Sequence, residues 1–167
     1  MKLAPQEVRT YLLTAVTAQR RRLFQVTATA EMFLKTVEAY RAKGRFALHA
    51  FVVMPDHIHL LLTPAPEVAL EKVAQLIKGG FSFRLKSAHD VWEKGYDSRR
   101  IMDGAHFERG RRYIEENPVR ARMVGSAEEY AYSSCGRGGW WTRSRCGLAR
   151  ANARFVAGSI QRAKARC

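Results

Sequence analysis

Two short stretches of this chain carry side chains that can work on phosphate esters. The first is Pro55-Asp56-His57-Ile58-His59-Leu60. On a strand, residues i and i+2 point to one face and i+1 to the other, so His57 and His59 project together while Ile58 packs inward. Two neutral imidazoles on one face make half of a divalent-metal site, and coordination positions left open for water or phosphate would make it catalytic. The plainer reading, and the commoner one for a lone His-x-His, is a pair of surface or hydrogen-bonded strand histidines. The second stretch is Tyr113-Ile114-Glu115-Glu116-Asn117-Pro118. Tyr113 and Asn117 are four apart and share one face of a helix. A tyrosine hydroxyl attacks phosphorus once a neighbouring cation or base helps remove its proton. The amide oxygen of Asn117 is an acceptable ligand for Mg²⁺ or Mn²⁺. Here too a plain alternative stands: Tyr113 as a core tyrosine, and Asn117 as the N-cap of a new helix with Pro118 at its first position.

The elements that must position these groups can be read around them. Tyr11 to Ala18 is rich in β-branched and aromatic residues and predicts a first strand, ended by Gln19-Arg20-Arg21-Arg22. An amphipathic stretch from Thr29 through Arg41, stopped by Gly44, predicts a helix. Phe46 to Met54 is a dense apolar run and a central strand; Pro55-Asp56 turns the chain, and His57 to Leu62 returns as its hairpin partner. After Pro64 and Pro66 a long helix runs from about Val68 to Ser87, with Gly79-Gly80 as a possible kink. Val91 to Ile101 predicts a fourth strand. Asp103 then caps a helix through Glu116, and Asn117-Pro118 starts another to Val124. The order β-α-β-β-α-β followed by helix is an α+β, ferredoxin-like arrangement: a four-stranded antiparallel sheet with helices on one face. That fold serves RNA binders, small-molecule sensors and nucleases alike, so it settles no function.

Taken together, a His-hydrophobe-His strand and a tyrosine on a helix after the fourth strand resemble the HUH superfamily of single-strand DNA nucleases. The detailed text is more similar still to the REP-associated tyrosine transposases, single-tyrosine proteins of bacteria. The matching segments are Tyr11-Leu12-Leu13-Thr14 with Arg21-Arg22-Leu23-Phe24, and Val53-Met54-Pro55-Asp56-His57-Ile58-His59-Leu60-Leu61. They continue with Leu76-Ile77-Lys78-Gly79-Gly80-Phe81-Ser82, Val91-Trp92-Glu93-Lys94-Gly95-Tyr96-Asp97 and Tyr113-Ile114-Glu115-Glu116-Asn117-Pro118-Val119-Arg120-Ala121, and Tyr132-Ser133-Ser134 closes the series. The blocks fall in family order over about residues 8–134. The resemblance implies that Tyr113 is the nucleophile, that His57 and His59 bind Mg²⁺ or Mn²⁺, and that Asn117 sits where related enzymes place a polar third ligand. It implies a 5′-phosphotyrosine intermediate in the nicking and rejoining of single-stranded or REP-like hairpin DNA. It also implies a monomer in preference to a dimer. Arg122-Met123-Val124 stands where the family has a small residue followed by Leu-Val, and His49 receives no role.

Charge names the same partner independently. The 167 residues hold 29 Lys+Arg against 15 Asp+Glu, a formal net charge of +14 that favours a polyanion. All fifteen acids lie in residues 1–135, which net +6, whereas 136–167 carry eight basic residues and no acid. The break at Gly136-Arg137-Gly138-Gly139 predicts a catalytic domain over 1–135 and a basic Gly/Arg/Ala-rich extension over 136–167. Arg21, Arg22, Lys78, Arg84, Arg99, Arg100 and Arg120 are candidate phosphate contacts, and Trp140 could stack on a base. Three cysteines in no C-x-x-C pattern, no secretory leader and no apolar run near the ~18 residues of a membrane span point to a cytoplasmic, nucleoid-associated protein with no membrane or protein partner. The competing readings are a DNA- or RNA-binding regulator of the same fold without turnover and a His-ligated metalloenzyme acting on a small molecule. The charge speaks against the last.

Overall fold

Two apolar strands joined by the two-residue turn Pro55-Asp56 pair as a hairpin: β2, Phe46–Met54, and β3, His57–Pro64. β1, Tyr11–Val16, pairs antiparallel with β3, and β4, Asp97–Arg100, pairs antiparallel with β1. The strand order is therefore β2-β3-β1-β4, all antiparallel, as a ferredoxin-like split βαβ requires. Helices α1, Thr27–Ala42, α2, Leu70–Leu85, and α3, Gly104–Arg120, complete the domain. The structure is a computed structural model and describes residues 8–136. The expected basic extension and Trp140 lie outside the described residues, apart from Gly136. No helix among the described residues is long and apolar enough to cross a membrane.

The sheet is covered on both faces, not one. Leu13, Ala15, Ile58, Leu60 and Leu62 face α1 and α2 and meet Phe33, Val37, Val73, Ile77 and Phe81 in the larger core. On the other face Ala50, Val52, Met54 and Leu61 pack against Ile114 of α3, with Leu12, Ile101, Phe107 and Tyr130 at the margin. A β-bulge at His49 lets β2 serve both cores: Phe46 and Leu48 face the larger core before it, Phe51 and Val53 after it. The displaced His49 is half-buried and puts its Nε2 2.8 Å from Thr63 Oγ1, which lies 2.7 Å from Thr10 Oγ1. The contact to Thr63 satisfies the ring, and burial lowers its pKa.

Several local expectations are corrected. The fourth strand is only Asp97–Arg100. Upstream of it Trp92 forms an isolated bridge with Thr17 and buries its ring among Phe24, Phe33 and Phe81, because packing there outweighs ladder pairing. Asn117-Pro118 starts no new helix: α3 runs unbroken from Gly104 to Arg120 with Pro118 inside it. A proline so near the end removes one hydrogen bond, and the helix stops two residues later. Asp103 does cap α3, accepting from the His106 backbone N–H at 2.7 Å. Gly79-Gly80 makes no break either, since α2 is continuous through both. Gly80 instead lets α2 approach α1: a Cβ there would lie 2.7 Å from Tyr40 Oη and 2.8 Å from its Cε2, whereas one on Gly79 meets nothing within 4 Å. Finally, Tyr132-Ser133-Ser134 zips onto the outer edge of β2, with Val53 N–H donating to the Tyr132 carbonyl at 2.8 Å and Ser134 N–H to that of Phe51 at 2.9 Å.

The two glycines predict opposite outcomes. Gly79→Ala should stabilise the domain by up to about 1 kcal/mol through helix propensity. Gly80→Ala should destabilise it by about 1–3 kcal/mol, because the Tyr40 ring must swing out of its packed position. Urea denaturation of the two variants measures the difference.

Candidate active site

Strand alternation sends His57 and His59 to the α3 face of the sheet, while Ile58 enters the larger core. The register sets their neighbours: His59 lies between Thr14 of β1 and Val52 of β2, and His57 between Val16 and Met54. The two imidazole centroids are 4.9 Å apart, and that of His59 is 5.3 Å from the Tyr113 ring in an edge-on arrangement. Tyr113 is held there because the next residue, Ile114, is fully buried in the core under α3. It remains 38% exposed and so open to solvent. The Arg120 guanidinium, two turns along α3, stands 5.3 Å from the centroid of the same ring and is also hydrogen-bonded to Glu116 at 3.0 Å.

One ring nitrogen of each histidine, Nδ1, is already engaged. His57 Nδ1–H donates to Asp56 Oδ1 at 2.6 Å, and His59 Nδ1 lies 2.7 Å from Thr14 Oγ1. Neither Nε2 makes a hydrogen bond to the described residues. A carboxylate or hydroxyl on Nδ1 fixes the ring and leaves the Nε2 lone pair outward, the usual preparation of a metal-binding imidazole. His59 is only 5% exposed, and burial together with the neighbouring His57 pushes its pKa down to about 4, so it stays neutral and able to coordinate near neutral pH. Burial alone would raise the Asp56 carboxyl, but His57 and the Arg20 guanidinium outweigh it and hold Asp56 below the usual range.

The residue types fit a divalent cation. Among the described residues no group of three His, Cys, Asp or Glu side chains is disposed to hold one, so a third protein ligand would be an amide or a hydroxyl. Asn117 is half-buried one turn beyond Tyr113 on the same helix, which places it on the same face and removes its alternative as a helix cap.

The expected phosphate contacts separate into groups. Arg99 stands opposite Leu12 in the β1–β4 register and so lies on the face of His59, whereas Arg100 stands opposite Tyr11 on the other face. Arg22 is exposed on the loop after β1. Arg21 is half-buried and donates to the carbonyls of Ala18 and Asp90. Lys78 donates to the carbonyls of Glu93 and Gly95 beside the Trp92 ring, and burial lowers its pKa. Those two cations hold the segment before β4 in place. Arg84 is exposed on α2, in the layer opposite Tyr113, and reaches Thr36 of α1 at 3.3 Å. His106 does not approach the site: its Nδ1 accepts from the Met102 N–H at 3.3 Å at the start of α3.

Thr14 and Asp56 carry no site role in the sequence reading. Asp56 had a signal, since it abuts the His-x-His pair; Thr14 had none, because only strand pairing brings it to His59.

A family model described as IS200-like transposase matches residues 7–117, about two thirds of the chain. Among solved structures, a REP-associated tyrosine transposase bound to a REP hairpin is similar over 80% of this chain and 81% of its own, with 19% identity and a TM-score of 0.70. A protein described as a candidate transposase of Deinococcus radiodurans R1 is similar over 70% of this chain and 97% of its own, with 23% identity and a TM-score of 0.51. At these identities the likeness speaks for the fold. No curated protein sequence matches the chain.

Because the pKa of His59 is lower in the folded state than its ordinary value of 6.5, this histidine adds no pH dependence above that value. Below it the unfolded chain takes up the proton first, so stability falls from pH 6.5 to about 4, by up to about 3 kcal/mol. Urea midpoints measured in EDTA across pH 4–8 should show this loss, and His59→Gln should reduce it, leaving the part due to His49, whose pKa burial also lowers.

Proposed function

The chain belongs to the IS200-like transposase family, and from that membership we propose that it nicks and rejoins single-stranded or hairpin DNA through a 5′-phosphotyrosine intermediate. The observation that carries this reading is the approach of the Tyr113 ring to within 5.3 Å of a buried, neutral His59 whose partner imidazole is 4.9 Å further on. His57 and His59 would hold Mg²⁺ or Mn²⁺, with Asn117 as the third protein ligand. A cation bound there supplies Lewis-acid polarisation of a nonbridging phosphate oxygen.

The chain's own residues do the rest. Tyr113 Oη attacks phosphorus; the Oη–P bond forms, the P–O3′ bond breaks, the phenolic proton leaves to solvent and the 3′ oxygen takes one up. One phosphodiester replaces another, so the step reverses without ATP. The Arg120 guanidinium lies over the face of the Tyr113 ring and holds that side chain in place. Asp56 and Thr14 keep the two imidazoles in the coordinating orientation. Arg22 and Arg99, exposed near or on the site face, are the candidate contacts best placed to bind the strand. Arg21 and Lys78 act by holding the loop, and Arg84 and Arg100 lie away from the site. The extension over 136–167, with Trp140, is taken to clamp DNA outside the catalytic domain of 1–135. The solved relative bound to a REP hairpin supports a hairpin with a short single-stranded segment as substrate. The protein is taken to act as a cytoplasmic, nucleoid-associated monomer.

The test is incubation with labelled hairpin DNA and Mn²⁺ or Mg²⁺. An SDS-resistant protein–DNA adduct should form, and should vanish with EDTA, with Tyr113→Phe and with His57→Ala. Tight binding with no adduct on any hairpin tested would leave the non-catalytic regulator as the function. Asp56→Ala and Thr14→Val should each weaken Mn²⁺ binding by roughly 10- to 100-fold, read by calorimetry, with the fold retained by circular dichroism.

A further inference from the structure

The loop between β1 and α1 contains a local conflict that packing does not explain. Gln19 and Arg20 are consecutive non-glycine residues with positive φ, 55° and 50°, a left-handed conformation that L side chains rarely adopt. The turn is held by a dense set of bonds. Arg20 N–H donates to the Thr17 carbonyl at 2.9 Å, Thr17 Oγ1 donates to the Arg21 carbonyl at 2.7 Å, and Gln19 N–H donates to Glu93 Oε1 at 2.8 Å. The buried Thr17 also ties the loop to the hairpin turn, its N–H donating to the Asp56 carbonyl at 2.9 Å.

The consequence of this turn is the placement of one guanidinium. Arg20 Nη1 reaches Asp56 Oδ2 at 3.4 Å, and the other oxygen of that carboxylate accepts from His57. The Arg20 side chain is nonetheless 70% exposed. An arginine has five N–H donors, and a single long contact to Asp56 leaves most of the fork facing solvent beside His57. Arg20 thus differs from its neighbour Arg21, which spends its donors on backbone carbonyls. Backbone strain kept at a functional site, when glycine would relieve it, indicates a side chain needed in that position.

We propose that Arg20 is a phosphate-binding residue: its guanidinium takes a backbone phosphodiester of the DNA strand that crosses His57, next to the phosphate attacked by Tyr113. Asp56 orients the fork from behind while it orients His57. The assignment rests on the DNA-cleaving function proposed above and adds a specific anion contact to it.

The test is binding of a 5′-fluorescein hairpin oligonucleotide with a single-stranded tail, followed by anisotropy in EDTA from 50 to 300 mM salt. Working without metal separates a phosphate contact from any effect passed through Asp56 to His57. Arg20→Ala should weaken binding roughly tenfold at low salt, the loss of one charge-assisted hydrogen bond. It should also reduce the log–log salt slope by about 0.7. Lys35→Ala, an exposed lysine of α1 in the opposite layer, should leave the slope unchanged. Arg20→Gly should show the same binding loss but melt about 2–4 °C higher than Arg20→Ala, because glycine accepts the left-handed turn. Equal affinity and slope for Arg20→Ala and the wild type would overturn the assignment while leaving the nuclease reading standing. No binding by the wild type either in EDTA or with Mn²⁺ would overturn both.

Discussion

A strand offers only alternate residues to each face of its sheet, and β3 uses both faces at once. Ile58, Leu60 and Leu62 enter the core under α1 and α2, so His57 and His59 have no choice of side. A one-residue slip of β3 would put both imidazoles into the larger core and move Ile58, Leu60 and Leu62 out of it to the α3 face, which breaks the packing of both faces. The position of the site is thus a by-product of the strongest force in the fold. Tyr113 obeys the same logic on α3, where burial of Ile114 fixes the rotation of the helix and brings the preceding residue over His59.

Around that frame the polar groups work against stability as much as for it. A buried imidazole that stays neutral to about pH 4 has lost solvation that only partly returns through Thr14. The left-handed turn at Gln19 and Arg20 is a second cost, borne by the bonds of Thr17. The compensation is apolar and lies elsewhere. Phe24, Phe33, Phe81 and Trp92 form one aromatic cluster beneath the β1–α1 loop, and Phe24 N–H donates to the Pro55 carbonyl. The loop that carries Arg20 is therefore anchored on both sides of its strained turn. At the far edge the hydroxyl of the half-buried Tyr130, its pKa pushed up to about 12 by burial, donates to the Val53 carbonyl and helps seal β2.

Apolar runs and turn residues announced the elements well. Phe46 to Met54 is the observed strand β2 to the residue, though it lies at the edge of the sheet and not at the centre as its apolar run suggests, and the Pro55-Asp56 turn follows from local chemistry alone. Legibility fails where a tertiary contact decides between local options. Gly79-Gly80 reads as flexibility, yet Gly80 is the space that Tyr40 needs. Asn117-Pro118 reads as a helix start, yet α3 continues through it because its apolar face is still packing on the sheet. Tyr96 and Trp92 read as strand residues, yet the core takes Trp92 out of the ladder.

The sequence by itself determined the residue types of the site, their spacing and the fold order, because alternation on a strand and four-residue spacing on a helix are local geometry. The family match over residues 7–117 rests on the same string. Tertiary structure alone decided that α3 crosses the face opposite α1 and α2, that Thr14 orients His59, and which basic residues look toward the site. Those outcomes depend on contacts between residues far apart in the chain, such as Arg20 with Asp56, Thr14 with His59 and His59 with Tyr113, 36, 45 and 54 positions apart. No local pattern encodes them, since the pairing of β1 with β3 is fixed only when both cores close.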